Sequence, residues 1–390
     1  MRILHTSDWH LGAKIEGKDR FEEQQNTLDE IVNIAFLYDV QIVIVAGDIF
    51  HSKTPSSEAE DLFYKTVERL SDNGNRLVFV LSGNHDDPLR LGAGRPLAEK
   101  LNIILASELD AVSILKTKVD SRVRVIDAGE SYVKVKSGEE LTTIGYLPFL
   151  SNQQACQITK AKYYREGIAK ICKKINNYFG NESFNLFVSH LFLSGGRVGD
   201  NKEIRVGEAL AVCEEDLPQN SHYNALGHLH TKQKIGEKSY YSGATIALRA
   251  KDGKPQVNVI TGDKNGLIEV KSVELKSAKM VKEIAVPNIA FAYKEVFECG
   301  ENCFVYLTIN QNLPLKADEL RSLRAQFPNI VSVRLNITGQ DSVSMNQTDF
   351  SKFNDRDLFV EFYKSIYNAT PPEELVDLFL ECREEQNASD

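Results

Sequence analysis

Residue types that commonly bind metals are found at six places along this chain, and most of these places follow a run of apolar residues. They are Asp8-Trp9-His10, Gly47-Asp48, His51, Gly83-Asn84-His85-Asp86, His190 and Gly227-His228-Leu229-His230. Mixed oxygen and nitrogen ligands of this kind suit Mn²⁺, Fe²⁺ or Zn²⁺ better than Ca²⁺, and they suit Mg²⁺ only weakly. Two such ions that share a carboxylate can stabilise both the attacking and the leaving oxygen at a phosphorus centre. The pattern therefore predicts a two-metal site for phosphoester hydrolysis.

Each place taken alone also has a purely structural explanation. Asp48 can cap a turn and His190 can be a buried core histidine, and short motifs often arise by chance. Seven of the eight histidines, however, lie in or beside these places, and only His222 lies apart from them. The combination favours a functional site over coincidence.

Strand periodicity gives an expectation for which side chains meet. In an extended backbone, residues i and i+2 point to the same side. Asp8 and His10 are therefore expected to address one point, and so are His228 and His230.

Neighbouring residues in an extended backbone point to opposite sides. Asn84 and His85 are therefore expected to serve different purposes, one facing a metal and the other facing the substrate. Glycines at positions 47, 83 and 227 allow tight turns that bring the backbone close to the ions.

The elements that must position these residues alternate between strand and helix patterns. Strands are predicted at Arg2–Thr6, Gln41–Ala46, Arg76–Ser82, Arg122–Asp127 and Phe184–His190, in a hairpin over Tyr132–Tyr146, and over residues 220–275. Helices are predicted at about Phe21–Tyr38 and Ser57–Asp72, and a Ser57-x-x-Glu60 capping box is expected to start the second. This order predicts an α/β sheet whose site lies at the C-terminal ends of its strands.

The chain is expected to divide into three parts. Residues 1–277 form the core, residues 278–340 form a smaller strand–helix–strand unit, and residues 341–390 form a C-terminal helical segment. In that segment apolar pairs recur at four-residue steps, which is typical of an adhesive helix face. The face is predicted to dock on a partner, and the alternative is that it folds back on its own core.

Composition excludes several classes of protein. The 390 residues are 42% apolar, and no apolar run approaches the roughly 20 residues that a membrane span needs. The first ten residues lack a signal pattern, so a cytoplasmic protein without a membrane partner is expected. The six cysteines contain no CxxC pair and are expected to be reduced structural thiols.

Bulk charge neither indicates nor excludes a nucleic-acid partner. The net charge is −9, and residues 351–390 supply −6 of it with ten acidic and four basic side chains. Binding of nucleic acid depends on local patches and bound metal more than on the total.

The blocks ILHTSDWHLG, GDIFH, SGNHD and GHLH resemble the calcineurin-like metallophosphoesterase superfamily, and within it the SbcD family of double-strand-break repair nucleases, to which the Mre-type nucleases correspond. The resemblance implies a four-layer α/β/β/α sandwich with a small α+β capping domain and C-terminal helices. It implies a manganese-dependent nuclease that degrades double-stranded DNA from 3′ to 5′ and cuts single strands and hairpins. It also implies a homodimer joined to two coiled-coil ATPase subunits in a heterotetramer that processes DNA ends.

The same resemblance implies a role for each site residue. One Mn²⁺ ion, or Mg²⁺ or another divalent ion in its place, would be held by Asp8, His10, Asp48 and His230. A second ion would be held by Asp48, Asn84, His190 and His228, so that Asp48 bridges the two. His85 would act on the substrate without binding metal, as the group that orients the phosphate or protonates the leaving oxygen. His51 is interpreted as a second residue on the substrate side, or as one that supports the site from behind, and not as a metal ligand.

Two other functions remain open from the sequence. The first is another two-metal phosphoesterase, either a phosphatase or a cyclic-nucleotide-type diesterase. Residues 47–53, however, lack the arginine that clamps a terminal phosphate in serine/threonine phosphatases. A non-catalytic scaffold for a repair ATPase is the second, and the intact set of ligand residue types speaks against it.

DNA contacts and subunit contacts are harder to predict. Arg197, Lys202 and Arg205 lie in a glycine-containing loop after His190, and Arg90 follows the GNHD block, so these four bases are predicted to contact DNA. A single helix over residues 153–179 also carries six bases and is expected to be a solvated face. The helices near Ser57–Leu70 and Pro96–Leu101 are the predicted dimer contact.

Overall fold

The computed structural model describes most of the chain. The described residues are 1–109, 121–198, 202–203, 210–311, 315, 317–337, 356, 358–360, 363, 371–373, 375–376 and 379–380. Residues 1–309 with 315–335 form one compact unit, and residues 310–314 with 336–390 form a second. The finer division of the chain at residues 277 and 340 stays a prediction.

The first unit is built mainly from strands. In chain order they are β1 Arg2–Thr6, β2 Ile42–Ala46, β3 Leu77–Leu81, β4 Ile103–Ala106, β5 Val123–Gly129, β6 Tyr132–Ser137, β7 Glu140–Leu147, β8 Phe184–His190, β9 Arg197–Val198, β10 Lys202–Glu203, β11 Tyr223–Gly227, β12 Gln233–Ile235, β13 Ser239–Tyr241, β14 Gln256–Asp263, β15 Gly266–Glu274, β16 Met280–Val286, β17 Cys303–Gln311 and β18 Ile330–Ile337. The predicted strands before residue 191 are confirmed to within two residues at each end.

Eight α-helices among the described residues of the first unit connect and cover these strands. They are α1 Phe21–Leu37, α2 Ser57–Ser71, α3 Pro88–Gly92, α4 Arg95–Ala98, α5 Asn152–Thr159, α6 Tyr164–Asn176, α7 Ile289–Cys299 and α8 Ala317–Gln326. The capping-box prediction for α2 was wrong by one residue, because Ser56 is the N-cap and its side chain accepts a hydrogen bond from the Ala59 amide. The single helix predicted over residues 153–179 is two helices, since Lys160 adopts a left-handed conformation and ends α5.

Two large sheets carry the core. The first has the strand order β15-β14-β1-β2-β3-β4, in which β1 to β4 are parallel, and the second has the order β12-β13-β11-β8-β7-β6-β5. In the second sheet β7, β8 and β11 are parallel neighbours. The carboxyl ends of these parallel strands therefore share one edge in each sheet.

Alternation along the strands explains the layers. In β2, Ile42 and Ile44 face the second sheet, where they pack in one cluster with Phe184 and Leu186 of β8. The intervening Val43 packs on the other side in a cluster with residues of α1 and α2. Helices α5 and α6 cover the outer face of the second sheet. The predicted four-layer α/β/β/α sandwich is confirmed.

The small sheet β16-β17-β18 has its own hydrophobic core with α7 and α8. It is tied to the rest of the first unit through Phe304, which packs with Ile15 and receives the Arg20 guanidinium 5.0 Å above its ring centroid. Lys279 adds a backbone hydrogen bond of 2.7 Å to the Glu23 carboxylate.

In the second unit, Phe359 stacks on Phe379 with ring centroids 4.4 Å apart, and Arg356 pairs with Glu373. Part of the apolar face predicted there thus packs within its own segment. No helix among the described residues of either unit is long and apolar enough to cross a lipid bilayer.

Candidate active site

The predicted metal-binding residues lie at the carboxyl ends of five strands from both large sheets. Asp8 and His10 follow β1, Asp48 follows β2, Asn84 follows β3, His190 ends β8, and His228 and His230 follow β11. Because the two sheets pack face to face, these ends converge on one region.

One group of donors comes from the loops after β1 and β11. Ligand atoms of Asp8, His10 and His230 all lie within 4.8 Å of one another. The two Nε2 atoms of His10 and His230 are 3.1 Å apart.

A second group comes from β2, β8 and β11. Ligand atoms of Asp48, His190 and His228 lie within 4.8 Å of one another. His190 Nε2 lies 3.1 Å from both His228 Nδ1 and the Asn84 side-chain oxygen.

Asp48 lies between the two groups. Its Oδ2 is 3.7 Å from His10 Nε2 in the first group and 3.4 Å from His190 Nε2 in the second. Its Oδ1 accepts the His85 backbone N–H at 2.9 Å, which fixes the carboxylate plane. A single carboxylate thus faces both donor groups.

The donors fit divalent cations. His190 Nδ1 donates to the Ala46 carbonyl at 2.9 Å, so its Nε2 presents a lone pair towards the Asn84 and Asp48 oxygens. Lone pairs that face one another across about 3 Å repel unless a cation or a proton lies among them. Buried imidazole and carboxylate donors with an amide oxygen are a donor set of divalent transition metals.

Burial and charge shift the pKa values of these groups in opposite directions. Burial lowers the pKa of His228 to about 3, and it also lowers the pKa of His10 far below its usual range. Burial alone would lower the pKa of His190 too, but the Asp48 carboxylate raises it to about 9. Burial alone would raise the pKa of Asp48, but the charge of His190 holds that pKa well below its usual range. The site therefore attracts positive charge around Asp48.

The expectation drawn from strand alternation was wrong in its geometry. Asp8 and His10 have φ angles of 53° and 45°, so their backbone is left-handed and not extended. His228 has φ of 99°, and it joins a different donor group from His230. The side chains converge because sharp turns, not strand pleats, aim them.

Two glycines are required by close approach of other groups. A Cβ atom on Gly227 would lie 1.9 Å from the Ala46 carbonyl oxygen. A Cβ atom on Gly83 would lie 2.1 Å from Asp48 Oδ1. Neither Gly227 nor Gly83 has a positive φ. These two positions therefore require glycine because there is no space for a side chain, and not because of a tight turn as predicted.

Two buried or half-buried carboxylates support the site without facing it directly. Asp86 accepts backbone N–H groups from Ile49, Phe50 and Gly83 at 3.2, 2.9 and 2.8 Å. Burial, followed by the charge of Asp48, raises the pKa of Asp86 to about 6. Asp86 thereby joins the loops that carry Asp48 and the GNHD block.

Asp252 is the second supporting carboxylate. Its Oδ2 lies 3.6 Å from His230 Nδ1 and accepts the Leu248 and Arg249 amides at 2.9 Å each. A carboxylate behind a histidine orients the ring and raises the basicity of its other nitrogen. Sequence reasoning missed Asp252, since nothing in its local pattern connects it with a histidine 22 positions earlier.

His85 and His51 lie at the open side of the cluster. His85 Nδ1 is 2.9 Å from the His51 carbonyl oxygen, which leaves its Nε2 for another partner. The two rings stack with centroids 5.9 Å apart, and the His85 ring lies 5.0 Å from the His10 ring. Burial lowers the pKa of His51, and the charge of His85 lowers it further by a smaller amount. A ligand atom of His85 also lies within 4.8 Å of donors of His10 and Asp48.

The bases predicted to contact DNA have different surroundings. Arg90 is exposed and forms an ion pair of 2.6 Å with Glu60. Arg197 is exposed in β9, where its backbone N–H donates to Gln233 at 2.8 Å. The backbone of Lys202 lies in β10, paired with Val198, whereas Arg205 lies outside the described residues.

Residues 1–231 match the calcineurin-like phosphoesterase family. Over almost its whole length the chain is also similar to the SbcD subunit of the nuclease SbcCD from Bacillus subtilis, with 30% identity over 98% of this chain and 97% of that protein. The corresponding SbcD protein of Escherichia coli K12 is 32% identical over 73% of this chain and 70% of that protein. That of Staphylococcus epidermidis is 22% identical over 94% of this chain and 93% of that protein.

The fold, the two donor groups and the family match together show that this protein is a metal-dependent phosphoesterase. The chain belongs to the calcineurin-like phosphoesterase family, in the branch that contains the SbcD subunits of SbcCD nucleases.

Proposed function

We propose that this protein is a manganese-dependent DNA nuclease that hydrolyses phosphodiester bonds with two divalent ions. The observation that carries the proposal is the convergence of seven donor residues on two adjoining groups that share Asp48. Relatives similar over nearly the whole chain are named as nuclease subunits, which supports DNA as the substrate.

The ligand roles follow from the donor groups. Asp8, His10 and His230 would hold one ion, and His190, His228 and Asn84 would hold the other, with Asp48 shared. When bound, such a pair of ions supplies Lewis-acid stabilisation of the negative charge that develops at phosphorus.

His85 is the side chain of this protein that would act on the phosphate without binding a metal ion. Its Nδ1–H donates to the His51 carbonyl, so the ring is fixed with Nε2 directed away from that bond. When Nε2 also carries a proton, it can donate a hydrogen bond that orients the phosphate, or transfer that proton to the leaving 3′ oxygen. The stacked His51 ring holds this orientation from the substrate side.

The test compares two substrates on one preparation. With Mn²⁺, the purified chain is expected to shorten linear duplex DNA from its 3′ ends and to cut single strands and hairpins, as read on denaturing gels. Hydrolysis of p-nitrophenyl phosphate without cleavage of any DNA substrate would contradict the nuclease assignment and favour a phosphatase.

The role of His85 is separable from metal binding. We expect His85→Ala to lose roughly 100-fold or more of the cleavage rate while elemental analysis still finds two ions per chain. His222→Ala is the matched control, because His222 precedes β11 at its amino end, away from the donor groups. Loss of one ion in His85→Ala would instead make His85 a ligand.

We further propose a homodimer that joins two copies of an SbcC-type coiled-coil ATPase in the cytoplasm. Helix α2 and residues between 93 and 105 line a largely apolar cavity of about 690 Å³, and Leu97, which is part of this lining, is 71% exposed. Contiguous exposed apolar surface is a mark of protein–protein contacts. Leu97→Glu is expected to convert the dimer to a monomer in analytical ultracentrifugation, and an unchanged mass would contradict this contact.

The C-terminal segment is the proposed docking site for the ATPase. A chain ending at Thr338 is expected to retain manganese-dependent cleavage and to lose co-purification with the co-expressed ATPase. If the shortened chain fails to fold, the segment serves its own core instead.

A further inference from the structure

A serine that follows β13 reaches the Asp8 carboxylate through a second serine. Strand β13 runs parallel to β11, so its carboxyl end lies at the edge of the sheet that carries His228. Ser242 directly follows β13, and its Oγ lies 2.9 Å from Ser7 Oγ. Ser7 Oγ in turn donates a hydrogen bond to the Asp8 carboxylate. Because Ser242, Ser7 and Asp8 are all fully buried, bulk water does not compete for these hydrogen bonds.

The two serine hydroxyl groups donate in one direction, towards the carboxylate. A serine hydroxyl has a single proton to donate, and an ionised carboxylate only accepts. When Asp8 is ionised, as a metal ligand is, the Ser7 proton goes to Asp8, and Ser242 has to donate its own proton to Ser7. The Gly243 carbonyl is the longer alternative for both, at 3.4 Å from Ser242 Oγ and 3.5 Å from Ser7 Oγ. The bond that Ser242 donates polarises the Ser7 hydroxyl and thereby strengthens the bond to Asp8.

The loop after β13 also contacts a second residue of the same donor group. The Ala244 amide donates to the His230 carbonyl at 2.9 Å, and the Thr245 amide donates to the Asp8 carbonyl at 3.4 Å. Asp8 and His230 form the first donor group together with His10. This loop therefore holds two of the three residues of that group in place.

We propose that Ser242 is a positioning residue that acts through Ser7 on Asp8 and so selectively sets the affinity of the first donor group for its ion. Such a role rests on the proposed function, since it requires an ion at that group. Without the Ser242 hydroxyl, Ser7 Oγ loses its donor, and its own proton can turn to the Gly243 carbonyl. The Asp8 carboxylate then loses a charge-assisted hydrogen bond that fixes its orientation.

A second contact of the Asp8 carboxylate limits the size of this effect. Its two oxygens accept the His228 backbone N–H at 3.0 and 3.2 Å, which does not involve either serine. Removal of a group that orients a metal ligand typically lowers the affinity by about 10- to 100-fold. Ser7→Ala removes the direct bond, so a loss in this range is expected. Ser242→Ala removes a group one bond further away, so the lower end of the range, about tenfold, is expected.

The test is titration of the metal-free full-length chain with Mn²⁺ in the absence of DNA. Calorimetry resolves the two binding steps, and electron paramagnetic resonance distinguishes a spin-coupled pair of Mn²⁺ ions from an isolated ion. Ser242→Ala is expected to weaken one step about tenfold and to leave the other step unchanged. At the Mn²⁺ concentration that just completes the coupled signal of the unmodified chain, the variant is expected to show the signal of an isolated ion.

Ser221→Ala is the matched control for the loss of a buried hydroxyl group. Ser221 is fully buried and donates to the Pro218 carbonyl at 2.8 Å. It precedes β11 at the amino end of that strand, away from the donor groups. Its removal should therefore leave both binding steps unchanged.

A double-mutant cycle separates positioning from a general effect on the fold. If Ser242 acts through Ser7, Ser242→Ala adds no further loss of affinity to Ser7→Ala, whereas independent losses would multiply. Should Ser242→Ala fail to fold, Ser242→Cys keeps a side chain of similar size with a weak donor and is expected to weaken the same step. Equal weakening of both steps, unchanged affinity in Ser242→Ala, or multiplied losses in the double variant would overturn the proposal. Because no DNA takes part, these outcomes do not depend on whether the chain is a nuclease, which the DNA cleavage assay decides separately.

Discussion

Asp86 permits a quantitative test of how the metal-binding loops are held. Its carboxylate accepts three buried backbone N–H groups, two on Oδ2 from Ile49 and Gly83 and one on Oδ1 from Phe50. A buried donor that loses its acceptor costs about 1–3 kcal/mol. Asp86→Ala removes both acceptor oxygens, leaves all three N–H groups unpaired, and is expected to lower the free energy of unfolding by about 3–6 kcal/mol.

Asp86→Asn gives the internal comparison. Its one amide oxygen can replace Oδ2 and keep two bonds, while the amide nitrogen then faces the Phe50 N–H. The expected loss is about 1–3 kcal/mol, roughly half that of the alanine variant. Because the two loops also carry Asp48 and Asn84, metal affinity should fall by about 10- to 100-fold in both variants.

The assay is urea unfolding of the metal-free protein at neutral pH, with hydrogen exchange of the three amides. Asp87→Ala is the matched control, since Asp87 accepts only the Arg90 amide at 2.8 Å among its described hydrogen bonds. That cap is worth about 1 kcal/mol, and its loss should leave exchange at the three amides unchanged. If the free energy of unfolding of Asp86→Ala lies within about 0.5 kcal/mol of that of the unmodified protein, Asp86 does not hold the loops.

Three further predictions concern the surroundings of the donor groups. Asp252→Asn should weaken manganese binding about tenfold in calorimetry without unfolding the protein, because His230 loses its charged partner; unchanged affinity would contradict that role. Gly227→Ala should lower the free energy of unfolding in urea by about 2 kcal/mol or more, because its Cβ would lie 1.9 Å from a carbonyl oxygen. Gly180→Ala should leave the stability unchanged, because no atom lies within 4 Å of a Cβ at that position. Equal effects of the two substitutions would refute the steric argument. Burial lowers the pKa of His5 to about 3, so below about pH 6.5 the unfolded state binds a proton that the native state does not. Stability should therefore fall by about 1.4 kcal/mol per pH unit on acidification, and His5→Gln should remove that part of the slope in unfolding at pH 5 to 7; an unchanged slope would show that His5 titrates normally.

The sequence predicts the strand ends well because buried parallel strands are short apolar runs with polar residues directly after them. Asp48 and His190 could be placed at such ends from the pattern of residues alone. Long-range partners could not, because contacts such as Asp252 with His230 depend on how separate loops approach each other. Residue types at a strand end indicate what a site contains, whereas loop conformation decides which side chains meet.

Backbone conformation at the site shows why pattern reasoning failed at that second step. Asp8, His10 and Asp48 are left-handed, which costs each non-glycine residue about 1–2 kcal/mol. Backbone hydrogen bonds offset this cost, since the Asp8 amide donates to the Gly47 carbonyl at 2.9 Å and the His10 amide to the Asp48 carbonyl at 3.0 Å. These bonds join the loops after β1 and β2 directly. The two loops are therefore held together by the chain itself, and an ion enters a site whose donors already face one another.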